Sequence, residues 1–448
     1  MKLINRRGFL KKSAFTSMGV IVSAPIVAKG FIKHSPNERL NIAVIGVSGK
    51  RNNIRIQGRG RMHYIGYSKI PNVRVTTICD IDERLFPAAI AEVEELYGAK
   101  PKTEVDFRRV LEDKDIDVVS IAVPDHWHAL MTIMACQAGK DIYIEKPISY
   151  NISEGRKMVQ AARKYNRVVQ SGLAPRSSKL VQEGIKFIQD GKLGDVYMAK
   201  GIVYDYRESI GHKPDSPIPE GVNWDMFLGP APYRPFNENR FTYNWHWFWD
   251  TSTTEFGNNG VYQMDIARWA MNKRVHPIKI HCVGGFFGQD SDQEVPNILS
   301  ATYQYEDGKI IQCEIRSLFT NSEGEQTGGC FFYGSEGWMH ISNGFKTFFG
   351  RKNEPGPSMP DKSVPVVERG NHWQNFIDCV RSRKWQDLNA EILEGYMSTV
   401  IGHLGVISYR TGRKLTFNPY SEKFIDDDDA NTYLTRIYRY PYVVPDEI

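Results

Sequence analysis

From Leu40 onward the chain alternates short, strongly apolar runs with amphipathic stretches. Asn41 to Gly46, Val73 to Asp80, Asp117 to Val123 and Asp141 to Ile144 are too short for helices and too uniformly apolar for half-exposed strands. Arg84 to Tyr97 and His128 to Ala138, which separate them, carry helical spacing. Parallel neighbours need a crossover segment to bring the chain back, so this pattern predicts a parallel sheet covered on both faces. The predicted domain, 38–165, is a doubly wound α/β unit ending in a linking helix, Ile152 to Tyr165, with Arg167 to Gln170 as a closing strand.

The pattern changes after that point. Met198 to Tyr204, Ile278 to Gly285, Leu299 to Tyr305, Ile310 to Arg316 and Gly328 to Tyr333 alternate like half-buried strands, with helices at Leu180 to Gln189, Tyr262 to Met271 and His372 to Ser382. Strands with few helices between them predict a second α/β domain, 166–415, built on a mostly antiparallel open sheet. Glu391 to Gly412 reads as a long helix packed back across it, and 416–448 as a tail lying on both domains. No internal repeat is visible. The acidic run Asp426 to Asp429 lacks the glycine and terminal glutamate of a calcium loop and reads as solvated.

Composition narrows the function classes. The 448 residues are 41% hydrophobic and 24% charged, with a net charge of only +5 and no basic stripe beyond the N-terminus, which argues against nucleic-acid binding. Asn5-Arg6-Arg7-Gly8-Phe9-Leu10-Lys11, followed by an apolar Thr16 to Ala28, resembles a twin-arginine export signal, so residues 1–30 are read as a leader and the mature protein as periplasmic. That apolar stretch is too short and too rich in small residues for a stable membrane span. The six cysteines are scattered, which predicts neither a zinc site nor a disulfide framework.

Candidate cofactor chemistry begins at Gly46, directly after the first strand. The expected G-x-G-x-x-G is interrupted: Gly46 and Gly49 come first, a polar insertion Lys50 to Gln57 follows, and Gly58 and Gly60 come after it. Either glycine group can approach a pyrophosphate, and the insertion is read as a flap over the nucleotide or an oligomer contact. Asp80 closes the second strand, where a carboxylate accepts hydrogen bonds from ribose hydroxyls and repels a 2′-phosphate, favouring NAD over NADP. Lys146, in Glu145-Lys146-Pro147 at the end of Asp141 to Ile144, is placed to take a hydroxyl proton beside a nicotinamide ring.

Gly46, the turn Pro124-Asp125-His126-Trp127-His128 and Glu145-Lys146-Pro147 together resemble the Gfo/Idh/MocA oxidoreductases. Asn223 to Pro232, Trp245 to Asp250 and Tyr409 to Leu415 look like an exported branch of that family found in glycan-degrading bacteria. The resemblance implies a Rossmann domain, a C-terminal α/β domain whose sheet mediates homo-oligomers, a sugar or polyol bound between them, and catalysis by lysine, aspartate and histidine. It also places Pro124, His126, His128 and Glu145 near the nicotinamide. His126 and His128, two apart with no further ligand nearby, are not read as a metal pair. Lys146 carries over, but Asn258 stands in the aspartate place and Tyr262 in the histidine place, with Asp265 retained. Two readings follow: catalysis through Lys146 and Tyr262, or a sugar-binding protein on a dehydrogenase frame.

For the substrate side, Phe241 to Trp249 holds six aromatic residues in nine positions, a density suited to stacking on the apolar face of a sugar. Trp245, His246 and Trp247 are the candidates there, and Arg176, Tyr204 and Asp265 are candidates for hydroxyl contacts. The resulting expectation is an NAD-dependent dehydrogenase of a secondary sugar hydroxyl, C3 foremost, with tightly held cofactor. An NAD-dependent glycosidase working by transient oxidation is the enzymatic rival.

Overall fold

β1 (Leu40–Ile45) lies in the middle of a sheet because both of its faces are apolar, and Ile42 to Ile45 are buried. In the computed structural model, which describes residues 39–47, 49–51, 54–56, 58–318, 322–359 and 370–448, β1 is followed by a hairpin of β2 (Gly49–Arg51) and β3 (Ile54–Ile56). Then come α1 (Gly60–Tyr67), β4 (Val73–Cys79), α2 (Phe86–Tyr97), β5 (Lys102–Glu104), α3 (Phe107–Glu112), β6 (Val118–Ile121), α4 (His128–Gln137), β7 (Asp141–Ile144), α5 (Ile152–Lys164) and β8 (Val169–Ser171). The six long-range strands are all parallel, in the order β5-β4-β1-β6-β7-β8. The order reverses between β1 and β6, and the crevice that ligands use in such sheets opens there, at the carboxyl ends of the strands. The predicted leader, with its twin arginines, lies outside the described residues.

The second half supplies α6 (Lys179–Gln189), β9 (Val196–Tyr204), α7 (Trp224–Leu228), a π-helical turn (Phe256–Gly260) running into α8 (Val261–Ala270), and the strands β10 (Lys279–Gly285), β11 (Ile298–Gln304), β12 (Ile310–Arg316), β13 (Gly328–Gly334), β14 (Gly337–Ile341), β15 (Phe345–Phe349) and β16 (Glu354–Met359). α9 (Gly370–Ser382), α10 (Ile392–Thr411), β17 (Leu415–Asn418), β18 (Lys423–Phe424) and α11 (Asp428–Thr432) complete it. The ten strands form one sheet, β16-β15-β14-β13-β9-β12-β11-β10-β17-β18, antiparallel throughout except for β9 against β12. The pattern did not predict β14 to β18. β16 carries Pro355 and Pro357, which read as turn residues, yet an edge strand tolerates them because its outer N–H groups need no partner.

α10 is apolar nearly all round because it is enclosed between the two sheets. A β-carbon on Gly395 would press on Ser171 of β8 at 2.7 Å, and one on Gly405 would meet the Tyr303 hydroxyl of β11 at 2.2 Å. The acidic run does not form a plain solvated loop: Asp427 caps α11 through the Ala430 N–H and, with Asp429, pairs with Arg413. All six cysteines are buried and behave as small apolar residues. Among the described residues no helix is long and apolar enough to cross a membrane.

Candidate active site

A cavity of about 660 Å³ runs from the carboxyl ends of β1, β4, β6 and β7 to the segments that follow β9 and precede α8. Its half beside the parallel sheet is built by close packing. Gly46, at φ +84°, turns the chain out of β1, and a β-carbon on it would meet the Ala122 carbonyl oxygen at 2.4 Å. Gly60 begins α1 against the Gly46 carbonyl, where a β-carbon would sit 1.7 Å from the oxygen. The two glycine groups therefore act as one turn whose intervening residues include a hairpin, and Gly58, Arg59 and the first turn of α1 reach the cavity. Gly49 belongs to β2 of that hairpin and not to the turn that starts α1.

Asp80 lines the cavity just beyond β4, oriented by N–H donors from Val47 at 2.8 Å and Asp82 at 3.0 Å. Burial pushes its carboxyl up to about 6, against those donors. The ingredients of a dinucleotide site are all present: a glycine-tight turn, a helix N-terminus beside it and a carboxylate at the end of the next strand.

Glu145 and Lys146 enter the cavity from β7 with Pro124 and Asp125 opposite. Behind Glu145 runs a buried chain that the sequence did not foreshadow. The His63 Nε2 donates to its carboxylate at 3.0 Å, and Ser120 joins the other ring nitrogen at 2.9 Å to the Tyr67 hydroxyl at 3.1 Å. Burial alone would raise the Glu145 carboxyl, but His63, Arg59 and Lys146 hold it well below the usual carboxylate range. Lys146 Nζ donates to the main-chain oxygen of Asn258 at 2.6 Å and to its Oδ1 at 3.1 Å. Asn258 is presented by the π-helical turn, a form that commonly marks functional positions. The Tyr262 ring centroid stands 5.4 Å from Nζ, but Tyr262 packs on Leu173, Val261 and Ala390 and does not line the cavity.

The half of the cavity away from the parallel sheet is walled by Asp205, Arg207, Thr242, Tyr243, Trp245, His246, Asn258 and Asn259. Arg207 pairs with Asp205 and with Glu255, both at 3.0 Å, so its charge is matched inside the wall. Trp245 and His246 stack with centroids 3.6 Å apart. Nδ1 of His246 donates to the Tyr243 carbonyl at 2.6 Å, and burial pushes the ring pKa down to about 3. The ring is therefore neutral at neutral pH, with Nε2 as an acceptor. Arg207 and Asn259 escaped sequence reasoning, their only signals being a place just past β9 and a place beside Asn258, while Tyr243 was legible only as one of the six aromatic residues of Phe241 to Trp249.

Several sequence-derived candidates prove structural. Arg176 and Asp265 are joined by hydrogen bonds of 2.9 to 3.0 Å in the protein interior, extended by Glu394, Arg268 and Ser398. Neither faces the cavity, because each satisfies the other. Tyr204 points to the face of the large sheet opposite the helices, donating to Glu323 at 2.7 Å beneath Arg316. Trp247 is buried against Phe248 and Val295. His126 is buried, gives its Nε2–H to the Phe227 carbonyl at 2.9 Å, and is driven down to about 3 by desolvation. His128 links the Val123 and Pro147 carbonyls at 2.8 and 2.6 Å, fastening the ends of β6 and β7 together without touching the cavity. Gly46, Gly58, Asp80, Pro124, Glu145, Lys146, Trp245 and His246 do line it.

Comparison with known proteins agrees with this geometry. Residues 40–173 match the oxidoreductase-family model for an NAD-binding Rossmann fold, and residues 181–444 match that family's C-terminal alpha/beta domain. A levoglucosan dehydrogenase of Pseudarthrobacter phenanthrenivorans is 29% identical over 163 residues, covering 36% of this chain and 41% of the relative. A glycosyl hydrolase family 109 protein of Shewanella sp. (strain ANA-3) is 26% identical over 172 residues, 36% of this chain and 38% of its own. The match thus spans about two fifths of these relatives' length. The solved WlbA dehydrogenase of Bordetella pertussis, in complex with NADH and UDP-GlcNAcA, superposes with a TM-score of 0.62 at 17% identity, over 85% of this chain and 99% of that one, and shows the shared fold. With both domain models matched and the glycine turn, Asp80 and Lys146 gathered around one crevice, the chain belongs to the Gfo/Idh/MocA oxidoreductase family.

Proposed function

We propose that this protein is an NAD-dependent dehydrogenase of a neutral sugar or glycoside, acting on a secondary hydroxyl, with C3 the foremost candidate. The observation that carries the reading is the position of Lys146, which lines the cavity between the glycine turn and Asp80 on one side and Tyr243 to His246 on the other, and is held there by Asn258. The glycine turn and the start of α1 would hold the pyrophosphate, Asp80 the adenosine ribose, and Pro124 and Glu145 the nicotinamide end. Bound there, the nicotinamide supplies the hydride acceptor. Lys146, held by Asn258, exchanges the hydroxyl proton, the Asn259 amide oxygen is offered to a neighbouring hydroxyl, and the Trp245–His246 stack offers an apolar ring face. Arg207 is already matched by Asp205 and Glu255, which favours a neutral sugar over a uronate.

Tight cofactor retention, export to the periplasm and self-association through the large sheet belong to the same proposal. Export of a folded protein would carry the nucleotide along. The test is mass analysis of nucleotide released from protein purified without added cofactor, followed by nicotinamide absorbance with a panel of glycosides. NAD in the released fraction and absorbance growth with a neutral glycoside support the reading. A bound sugar with no absorbance change refutes it in favour of a non-catalytic binder.

The likeness to glycosyl hydrolase family 109 favours a second reading, in which a transient oxidation permits glycosidic cleavage and the cofactor is restored. Product analysis separates the two: a ketosugar marks the dehydrogenase, and a free sugar with no net redox change marks the glycosidase.

A further inference from the structure

Lys146 arrives in the cavity with two of its hydrogen-bonding directions already used, both by Asn258: the main-chain oxygen at 2.6 Å and Oδ1 at 3.1 Å. The amide cannot turn over. Its Nδ2 donates to Glu255 Oε1 at 3.0 Å, and the buried Glu255 carboxylate is itself held by Arg207 Nε at 3.0 Å and Asn259 Nδ2 at 3.2 Å. With Nδ2 fixed on a carboxylate, only Oδ1 is left to face the lysine.

A lysine nitrogen is tetrahedral. Cε and two N–H bonds fill three directions, and the fourth is an N–H in the ammonium form and a lone pair in the amine form. Both forms keep two N–H donors for the two Asn258 oxygens, the ammonium donating the more strongly, so the contacts persist in either form. Neither oxygen carries a formal charge, so neither resists loss of the proton as a carboxylate in the same place would.

We propose that Asn258 is a positioning residue that leaves one direction of Lys146 Nζ as a reversible proton port, so that a hydroxyl proton enters or leaves without any holding contact breaking. This rests on the dehydrogenase reading. In the oxidative direction the substrate O–H bond breaks and its proton forms an N–H bond at the lone pair. An oxidised nicotinamide bound in the cavity would accept the electron pair of the adjacent C–H bond as hydride, as the C=O bond forms. Other groups lie around the same nitrogen: Glu145 beside it, Asp125 from the end of β6, Arg59 acting on Glu145 from the start of α1, the neutral His246, Tyr262 with its ring 5.4 Å away, and Arg207 and Glu255 behind Asn258. Substitution at 258 and 255 leaves the first five in place.

The test exchanges the carboxylate and amide. The double variant Asn258→Asp/Glu255→Gln keeps the total charge and the donor–acceptor match between the two positions, but turns a carboxylate toward Lys146. Acetic anhydride labelling of the cofactor-loaded protein over a pH series, read by peptide mass spectrometry, gives the pH at which Lys146 becomes reactive as an amine. The exchange is expected to move that midpoint upward by about one pH unit or more, and the acidic limb of kcat/KM with it. The single variant Glu255→Gln is expected to show no upward move, with kcat lowered roughly tenfold, as for about 1.4 kcal/mol of lost orientation, and KM little changed. An unmoved midpoint in the folded double variant overturns the proposal. If the double variant does not fold, unchanged kcat in Glu255→Gln overturns it instead. Because labelling needs no substrate, a shifted midpoint in a protein that oxidises no sugar supports the port while refuting the dehydrogenase.

Discussion

Gly60 packs directly against the carbonyl group of Gly46, so closely that no larger residue fits between α1 and the end of β1. Gly60→Ala must push the helix start away from the turn. The expected result is overpacking of about 1–3 kcal/mol with loss of bound nucleotide. Thermal unfolding and the nucleotide content of the purified variant check both. Full retention of nucleotide would mean that this turn is not the phosphate cradle.

Asp80 offers a pH signature as well as a contact. Its carboxyl is raised to about 6, chiefly by burial, so it gains a proton as the pH falls below that value and then ceases to accept hydrogen bonds as an anion. NAD affinity is expected to be level above pH 7 and to weaken below about 6. Asp80→Asn should flatten that dependence and weaken binding by roughly tenfold or more, in line with about 1.5–3 kcal/mol for hydrogen bonds to charged groups. Fluorescence titration at several pH values measures it.

Arg176 and Asp265 predict a stability effect in place of a binding one. Asp265→Asn leaves the buried guanidinium of Arg176 without its main partner, at an expected cost of about 3–5 kcal/mol. Denaturant unfolding should shift accordingly, and KM of the surviving folded fraction should not.

Glu154, fully buried at the start of α5, tests the sign of proton linkage. Burial pushes its carboxyl up to about 7 despite the Tyr150 N–H, the Asn151 amide and Arg436. The native state therefore binds the proton more tightly than the unfolded chain. The stability this provides is present in full below the unfolded value and is lost as the pH rises from about 4.5 through 7. The difference in melting temperature between Glu154→Gln and the native protein should grow in the variant's favour across that window. A constant difference would show that Glu154 is not protonated in the fold.

Trp245, stacked on His246, is the ring best placed to meet a sugar face. Trp245→Ala should raise KM for the preferred glycoside by up to roughly tenfold, the scale of about 0.5–1.5 kcal/mol for an aromatic contact, with a smaller change in kcat. Initial-rate kinetics distinguish this from a loss confined to kcat.

The parallel sheet and the place of Lys146 were legible because continuous apolar runs reveal strands and the residue after a strand end inherits a fixed position. The Gly46–Gly60 contact was hidden by the hairpin, which breaks the spacing that a linear fingerprint relies on. Arg176 and Asp265 were misassigned because a polar side chain does not reveal whether its partner is a ligand or another segment of the chain, and here that partner lies 89 residues away. The same ambiguity hid the support of Glu145 by His63, which sits on an otherwise unremarkable helix. Tyr204 illustrates a parity effect: its strand was foreseen, but not which face of it packs against the helices.

The two ends of the large sheet carry a consequence for assembly. One rim is β16, whose Pro355 and Pro357 offer no N–H groups, and the other is β18, only two residues long. Neither rim can template the continuous strand addition through which exposed sheets recruit further chains. A molecule built this way is guarded against fibrous growth through the rims of this sheet.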